Sequence, residues 1–181
     1  QTRDWRKVRA EVKDFVENEV YPAESILNER SEESNQKLKE LMGKAKEKNL
    51  WALGHPEDIG GQGMPFMEYV YVNEVVGRSS PAMVALGTHS LQDSIMLREF
   101  ASDRWRDAYL GPLVAGEIFP SFGMTEPDTA SSDPTQLQTA AVLEDGEWVI
   151  NGRKWFTSGA ARAAYTTVMV RTEPDTPGHG A

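Results

Sequence analysis

Residues 122–159 read F-G-M-T-E-P-D-T-A-S-S-D-P-T-Q-L-Q-T-A-A-V-L-E-D-G-E-W-V-I-N-G-R-K-W-F-T-S-G, and the reading of this stretch decides the fold. Residues 136–143 have a strand-like pattern, Glu144-Asp145-Gly146 turns, Trp148, Val149 and Ile150 follow, and Asn151-Gly152 turns again. Asp-Gly and Asn-Gly supply the positive φ angles of tight hairpin turns. Residues 153–156 and 165–171 then complete an antiparallel meander. The stretch sets hydroxyls, main-chain donors and a tryptophan on β structure, with no metal-ligand set and no catalytic triad. That equipment suits holding a flat, anionic-tailed cofactor better than acid–base chemistry alone.

Upstream the pattern is helical. Trp5, Val8, Val12, Phe15, Val16 and Val20 recur at three- and four-residue steps, which places them on one helical face, and Pro22 is expected to stop that helix. Leu38, Leu41, Met42 and Ala45 mark a second helix. Residues 50–64 form an irregular connector containing I-G-G-Q-G-M. Pro65 opens a third helix through Phe66, Tyr69, Val70 and Val76. Ser80 and Pro81 read as an N-cap and first-turn pair, starting a helix that runs toward Phe100 with a break near Gly87. Ser102 caps a last helix through Trp105, Tyr109 and Leu110. A helical half followed by a β half is an α+β chain: an all-α domain over residues 1–117, then the start of an antiparallel β domain over residues 118–181. Three or four strands leave open edges, which soluble proteins avoid, so further chain is expected to follow Ala181.

Composition narrows the function classes. The 181 residues include 39% hydrophobic positions and five Trp, enough to bury a core, and carry a net charge of −9. That charge, with no Lys/Arg block, argues against a nucleic-acid partner. Cysteine is absent, which removes disulfides, a thiol nucleophile and thiolate metal sites and fits a cytoplasmic location. No run reaches the roughly 18 apolar residues of a membrane span. His55, His89 and His179 show no ligand spacing, so no metal is expected. Gly60-Gly61-Gln62-Gly63 lacks the Lys-Ser/Thr and preceding strand of a phosphate-binding loop and reads as a tight structural turn.

Several motifs, in order, carry a resemblance. Phe122-Gly123-Met124-Thr125-Glu126-Pro127, Ser132-Asp133, and Asn151-Gly152-Arg153-Lys154-Trp155-Phe156-Thr157 resemble the flavin-binding middle domain of acyl-CoA dehydrogenases. Residues 56–63 resemble that family's P-x-x-x-G-G-x-G loop, Glu74 stands where the next helix usually carries a glutamate, and residues 101–113 are similar to the stretch leading into its β domain. The order and spacing of these motifs are specific where each alone is weak. The loop at Asp128-Thr129-Ala130-Ser131-Ser132-Asp133 departs from the common glycine-bearing form, being one residue longer and similar to an A-S-S-D version in a divergent branch. Lys154 also abuts Trp155 directly, where many members place a residue between them.

The resemblance implies an activity: dehydrogenation of an acyl-CoA thioester between its α and β carbons, with hydride transfer to N5 of FAD and electrons then passed to an electron-transfer flavoprotein. It implies that Phe122 and Met124 approach the flavin ring, that the Thr125 hydroxyl bonds its pyrimidine edge, that Trp155 stacks beside it and that Thr157 sits at N5. Ser132, with Ser131 as its rival in the longer loop, is the implied pyrophosphate donor, and Ser132 also lies toward the CoA side of the substrate. Ser90 and Leu91 are implied to line the acyl pocket. Glu126 and Asp133 read as loop braces, and the general base is expected beyond Ala181, in a C-terminal helical domain. That domain and a neighbouring subunit, in a homodimer or homotetramer, would complete the site, so residues 1–181 alone are expected to hold FAD weakly. In a eukaryote the implied compartment is the mitochondrial matrix or peroxisome. Two alternatives remain: a flavin monooxygenase or nitroalkane oxidase of the same fold, and a non-catalytic interaction module that has lost the cofactor.

Overall fold

The computed structural model describes residues 3–29, 31–130 and 133–173. The chain divides into two compact units, Gln1–Ile118 and Phe119–Ala181. Helices followed by small sheets make the α+β class read from the sequence.

The first unit holds α1 (Trp5–Phe15), α2 (Glu24–Leu27), α3 (Glu32–Glu47), α4 (Phe66–Val76), α5 (Ser80–Ala85), α6 (Leu91–Phe100) and α7 (Asp103–Ala115). Asp4 caps α1 by accepting from the Arg6 N–H, and Ser31 caps α3 by accepting from Ser34. The three- and four-residue apolar spacing of α1 buries Val8, Val12 and Phe15, which pack with Leu41, Met42 and Ala45 of α3 and Tyr69, Val72, Val75 and Val76 of α4. Removing such side chains from water is the main stabilising term of this unit.

Three expectations shift here. Pro22 does not end the helical path: regular α-helix stops at Phe15, a π turn covers Val16–Val20, and Tyr21–Ala23 continue as a 3-10 turn. Proline has no N–H to donate, and these changed bonding patterns carry the chain past it without a break. The cap of α5 is Ser79, whose Oγ accepts from the Ala82 N–H, so Ser80 and Pro81 are already inside the helix. On α4, Tyr69, Val72, Val75 and Val76 are buried, whereas Phe66 and Val70 face outward. That helix is apolar around most of its circumference, so spacing alone did not select its inner face.

The connector between α3 and α4 is ordered by hydrogen bonds within itself and to Leu86. Ala52 N–H donates to Leu86 O and Met64 N–H to Leu53 O, and the Gln62 side-chain amide donates to Asn49 O and Trp51 O. A Cβ on Gly61 would stand 2.1 Å from the His55 carbonyl oxygen, so only glycine fits that turn. The break near Gly87 is present, between α5 and a 3-10 turn over Thr88–Ser90.

The second unit holds β1 (Pro120–Gly123), β2 (Ala140–Glu144), β3 (Glu147–Asn151) and β4 (Tyr165–Val168). β2 and β3 form the expected antiparallel hairpin, with Glu144 opposite Glu147 and both turn residues left-handed, Asp145 at φ 49° and Gly146 at φ 86°. The meander does not form. β4 pairs with β1 in parallel, Phe122 opposite Thr167, and residues 153–156 join no strand. The first strand is also shorter than residues 136–143. Pro134–Gln136 is a 3-10 turn, and the N–H groups of Gln138 and Thr139 donate to the Glu126 carboxylate instead of a ladder. A short parallel contact at Ala140 and Arg171 takes the place of a longer strand pair.

Candidate functional site

β1 delivers its chain into Met124, Thr125 and Glu126, which lie beyond the strand and outside any ladder. The second motif holds them. Lys154 Nζ donates to the Met124 carbonyl at 2.9 Å and to Glu126 Oε1 at 2.8 Å, and the Trp155 N–H donates to the Thr125 carbonyl at 3.0 Å. Thr157 Oγ1 lies 3.8 Å from where a Cβ on Gly123 would stand. The two motifs that carry the resemblance, 28 residues apart in sequence at Glu126 and Lys154, are thus in direct contact.

Glu126 is 4% exposed. Its oxygens accept from Gln138 N–H at 2.7 Å, Thr139 N–H at 2.9 Å, Thr139 Oγ1 at 2.6 Å and Lys154. Burial pushes its carboxyl up, but the Lys154 ammonium, the Thr139 hydroxyl and the two main-chain donors outweigh that and hold it at about 2. A carboxylate so occupied is a poor proton acceptor; its geometry is that of a brace. Asp133 is similar on a smaller scale, taking Thr135 N–H, Thr135 Oγ1 and the Gln136 amide.

The other sequence candidates fall into three groups. Phe122 sits half-buried on β1. Among the described residues the main-chain N–H groups of Met124 and Thr125 and the hydroxyls of Thr125 and Thr157 meet no acceptor. Trp155 is 44% exposed beside Phe156, ring centroids 4.7 Å apart, and Phe156 is held at φ 53°. A bulky residue in the left-handed region costs of order 1–3 kcal/mol, and such strain concentrates at functional loops. Ser131 and Ser132 lie outside the described residues. Ser90 and Leu91 belong to the helical unit: Leu91 packs against its core, while Ser90 is fully buried, 3.1 Å from His55 Nε2, its hydroxyl donating to Gly87 O.

That last bond fixes the imidazole. With Ser90 donating to Gly87, His55 Nε2–H donates to Ser90, and Nδ1 is the bare nitrogen with no partner among the described residues. Burial first, and the nearby His89 second, bring His55 down to about 4, so it is neutral at ordinary pH. Residues 60–63 hold no phosphate cradle. Their N–H groups donate in turn to Glu57, Pro56, Ala52 and His55 carbonyls, leaving none for an anion.

Lys154, which stands out in the sequence only as a departure in spacing, and Thr139 are the site residues that the motifs do not single out. A signal was available: one acidic residue in the first motif and a lysine in the second, both within otherwise half-apolar stretches.

The open donors at Met124 and Thr125, the Thr157 hydroxyl and the half-exposed Trp155 face fit a flat heteroaromatic ring with an acceptor-rich edge. No helix among the described residues is long and apolar enough to cross a membrane.

Comparison with known proteins gives the family. Residues 2–117 match the model of the acyl-CoA dehydrogenase N-terminal domain, and residues 121–181 that of the middle domain. The chain is 32% identical over 96% of its length to acyl-CoA dehydrogenase family member 10 of Mus musculus, covering 18% of that protein. It is 31% identical over 99% of its length to an acyl-CoA dehydrogenase of Bacillus subtilis, covering 46% of it. A solved Mycobacterium abscessus structure assigned to the acyl-CoA dehydrogenases superposes with a TM-score of 0.82 at 30% identity, over 95% of this chain and 47% of that one. The chain therefore spans less than half the length of these relatives. It belongs to the acyl-CoA dehydrogenase family.

Proposed function

We propose that the protein is an FAD-dependent acyl-CoA dehydrogenase and that residues 122–126 and 153–157 form one wall of its flavin site. The observation that carries this reading is the contact between the two motifs: Lys154 and Trp155 tie down the carbonyls of Met124 and Thr125 and leave the N–H donors of the same segment open. FAD bound there would supply a two-electron acceptor that amino-acid side chains lack. The chain's own contribution is to bind and orient. Trp155 offers a stacking face, and the Thr125 and Thr157 hydroxyls and the Met124 and Thr125 N–H groups offer donors where negative charge would develop. Ser131 and Ser132 are proposed for the pyrophosphate, Ser132 also for the CoA side, and Ser90 with Leu91 for the acyl chain.

Glu126 does not remove the substrate's α proton in this reading. Its lone pairs are committed to Gln138, Thr139 and Lys154, so the base is another residue of the protein. Electrons are proposed to leave to an electron-transfer flavoprotein, and assembly into a homodimer or homotetramer to close the site.

Anaerobic mixing of the purified holoprotein with acyl-CoA thioesters of several chain lengths tests the proposal. Bleaching of the flavin absorbance with formation of a 2-enoyl-CoA is expected. A flavin that no acyl-CoA bleaches, but that turns over with oxygen and another substrate, would point to a monooxygenase or nitroalkane oxidase. Protein that rejects FAD would leave an interaction module.

A further inference from the structure

We propose that Lys154 is a positioning residue that polarises the Met124–Thr125 peptide and thereby sets the donor strength of the flavin-facing wall. This inference rests on the flavin reading above and deepens it.

A peptide bond couples its two ends. Its carbonyl and N–H share one delocalised system, so a strong donor at the oxygen makes the N–H at the other end a better donor. The donor at the Met124 oxygen is an ammonium at 2.9 Å, a charge-assisted bond roughly twice as strong as a neutral one. The Lys154 side chain is only 10% exposed, so water screens little of that effect. At the far end of the same peptide stands the Thr125 N–H, with no acceptor among the described residues. The next peptide is treated alike: the Thr125 carbonyl accepts the Trp155 N–H at 3.0 Å. Glu126 completes the arrangement, its carboxylate 2.8 Å from the same ammonium. The wall therefore faces a balanced pair, and removing either member unbalances it with a known sign.

That sign separates polarisation from simple bracing. Donors and positive charge beside a flavin favour its reduced, more negative form. Losing Lys154 removes the polarising cation and leaves the Glu126 charge unopposed, which lowers the flavin midpoint potential. Losing the Glu126 charge leaves the ammonium unopposed, which raises it. A residue pair that only held the loop in shape would shift the potential in the same direction from either side.

The test uses the holoprotein as it occurs, with Lys154→Met, Lys154→Arg and Glu126→Gln. Three readouts are taken: FAD affinity, flavin midpoint potential, and hydrogen exchange at the Trp155 and Thr139 amides. Lys154→Met should weaken FAD binding roughly two- to threefold, the size of the cooperative gain on one hydrogen bond, and lower the potential. Glu126→Gln should raise the potential, and Lys154→Arg should return it toward wild type. Should Lys154→Met or Glu126→Gln fail to fold, Lys154→Gln, which keeps a neutral donor without the charge, carries the test, and its lowered potential is the expected result. An unmoved potential, or shifts of one sign from both partners, overturns the inference while leaving the flavin reading intact. Wild-type protein that binds no FAD overturns both.

Discussion

Phe15, Leu41, Leu50 and Leu53 of the helical unit are almost wholly sealed from solvent, whereas Leu143, Trp148 and Ile150 of the β hairpin are about half exposed. In the β unit a charged residue, Glu126, is among the most deeply buried, and it sits in a cluster of donors. The helical unit is held by apolar burial, and the region around the two motifs by charge-assisted hydrogen bonds. The difference has a functional sense. A ligand wall needs main-chain groups that are rigid yet not spent on a ladder. Lys154 and Glu126 supply the rigidity, so Met124 and Thr125 keep their N–H groups available.

Substitutions should separate the two regions. The largest effect is expected from Phe15→Ala, which removes a fully buried ring from the helical core. It should cost about 4 kcal/mol, seen as a lower denaturant midpoint, with Thr139 amide exchange relative to global unfolding unchanged. Lys154→Met should cost about 3 kcal/mol by stranding a buried carboxylate. Its effect should concentrate in the exchange rates of the Thr139 and Trp155 amides. Equal loosening of the helical core by this variant would erase the distinction.

Acid should distinguish the regions in sequence. His55 is held neutral in the fold, so its contribution is complete above pH 6.5 and is lost as pH falls toward 4, because the unfolded chain takes up the proton first. By pH 5 the loss is about 2 kcal/mol. Glu126 is held ionised, so its contribution is complete above about 4.5 and is lost only as pH falls toward 2. Exchange-detected acid titration should therefore show the helical unit weakening first; the reverse order contradicts the comparison. The smallest effect belongs to Asp128→Asn. Its pair with Arg153 is exposed on both sides, and its loss should change stability by less than about 0.5 kcal/mol in a denaturation curve.

Much of this was legible in the residues, for identifiable reasons. Asp145-Gly146 specifies its hairpin locally, and the apolar spacing of α1 names its own buried face. The cap at Ser79 was missed by one position because Ser79 and Ser80 are both good caps and the choice depends on which hydroxyl reaches Ala82. The meander was misread because Asn151-Gly152 is a good turn, while the fate of residues 153–156 depends on Met124, Thr125 and Glu126. Those bonds are non-local, and no spacing rule encodes them. The brace role of Glu126 was readable from its place beside Pro127; an acidic residue and a lysine in the two motifs hinted at Lys154, but that the two pair across 28 residues is set by the fold.

Equilibrium titration of FAD into the purified protein, wild type beside Trp155→Ala, tests the central claim most directly. The account predicts that wild type binds FAD and that Trp155→Ala weakens binding about tenfold, the worth of one aromatic stack. A wild-type protein that takes up no FAD, or equal affinity in the two proteins, would contradict it.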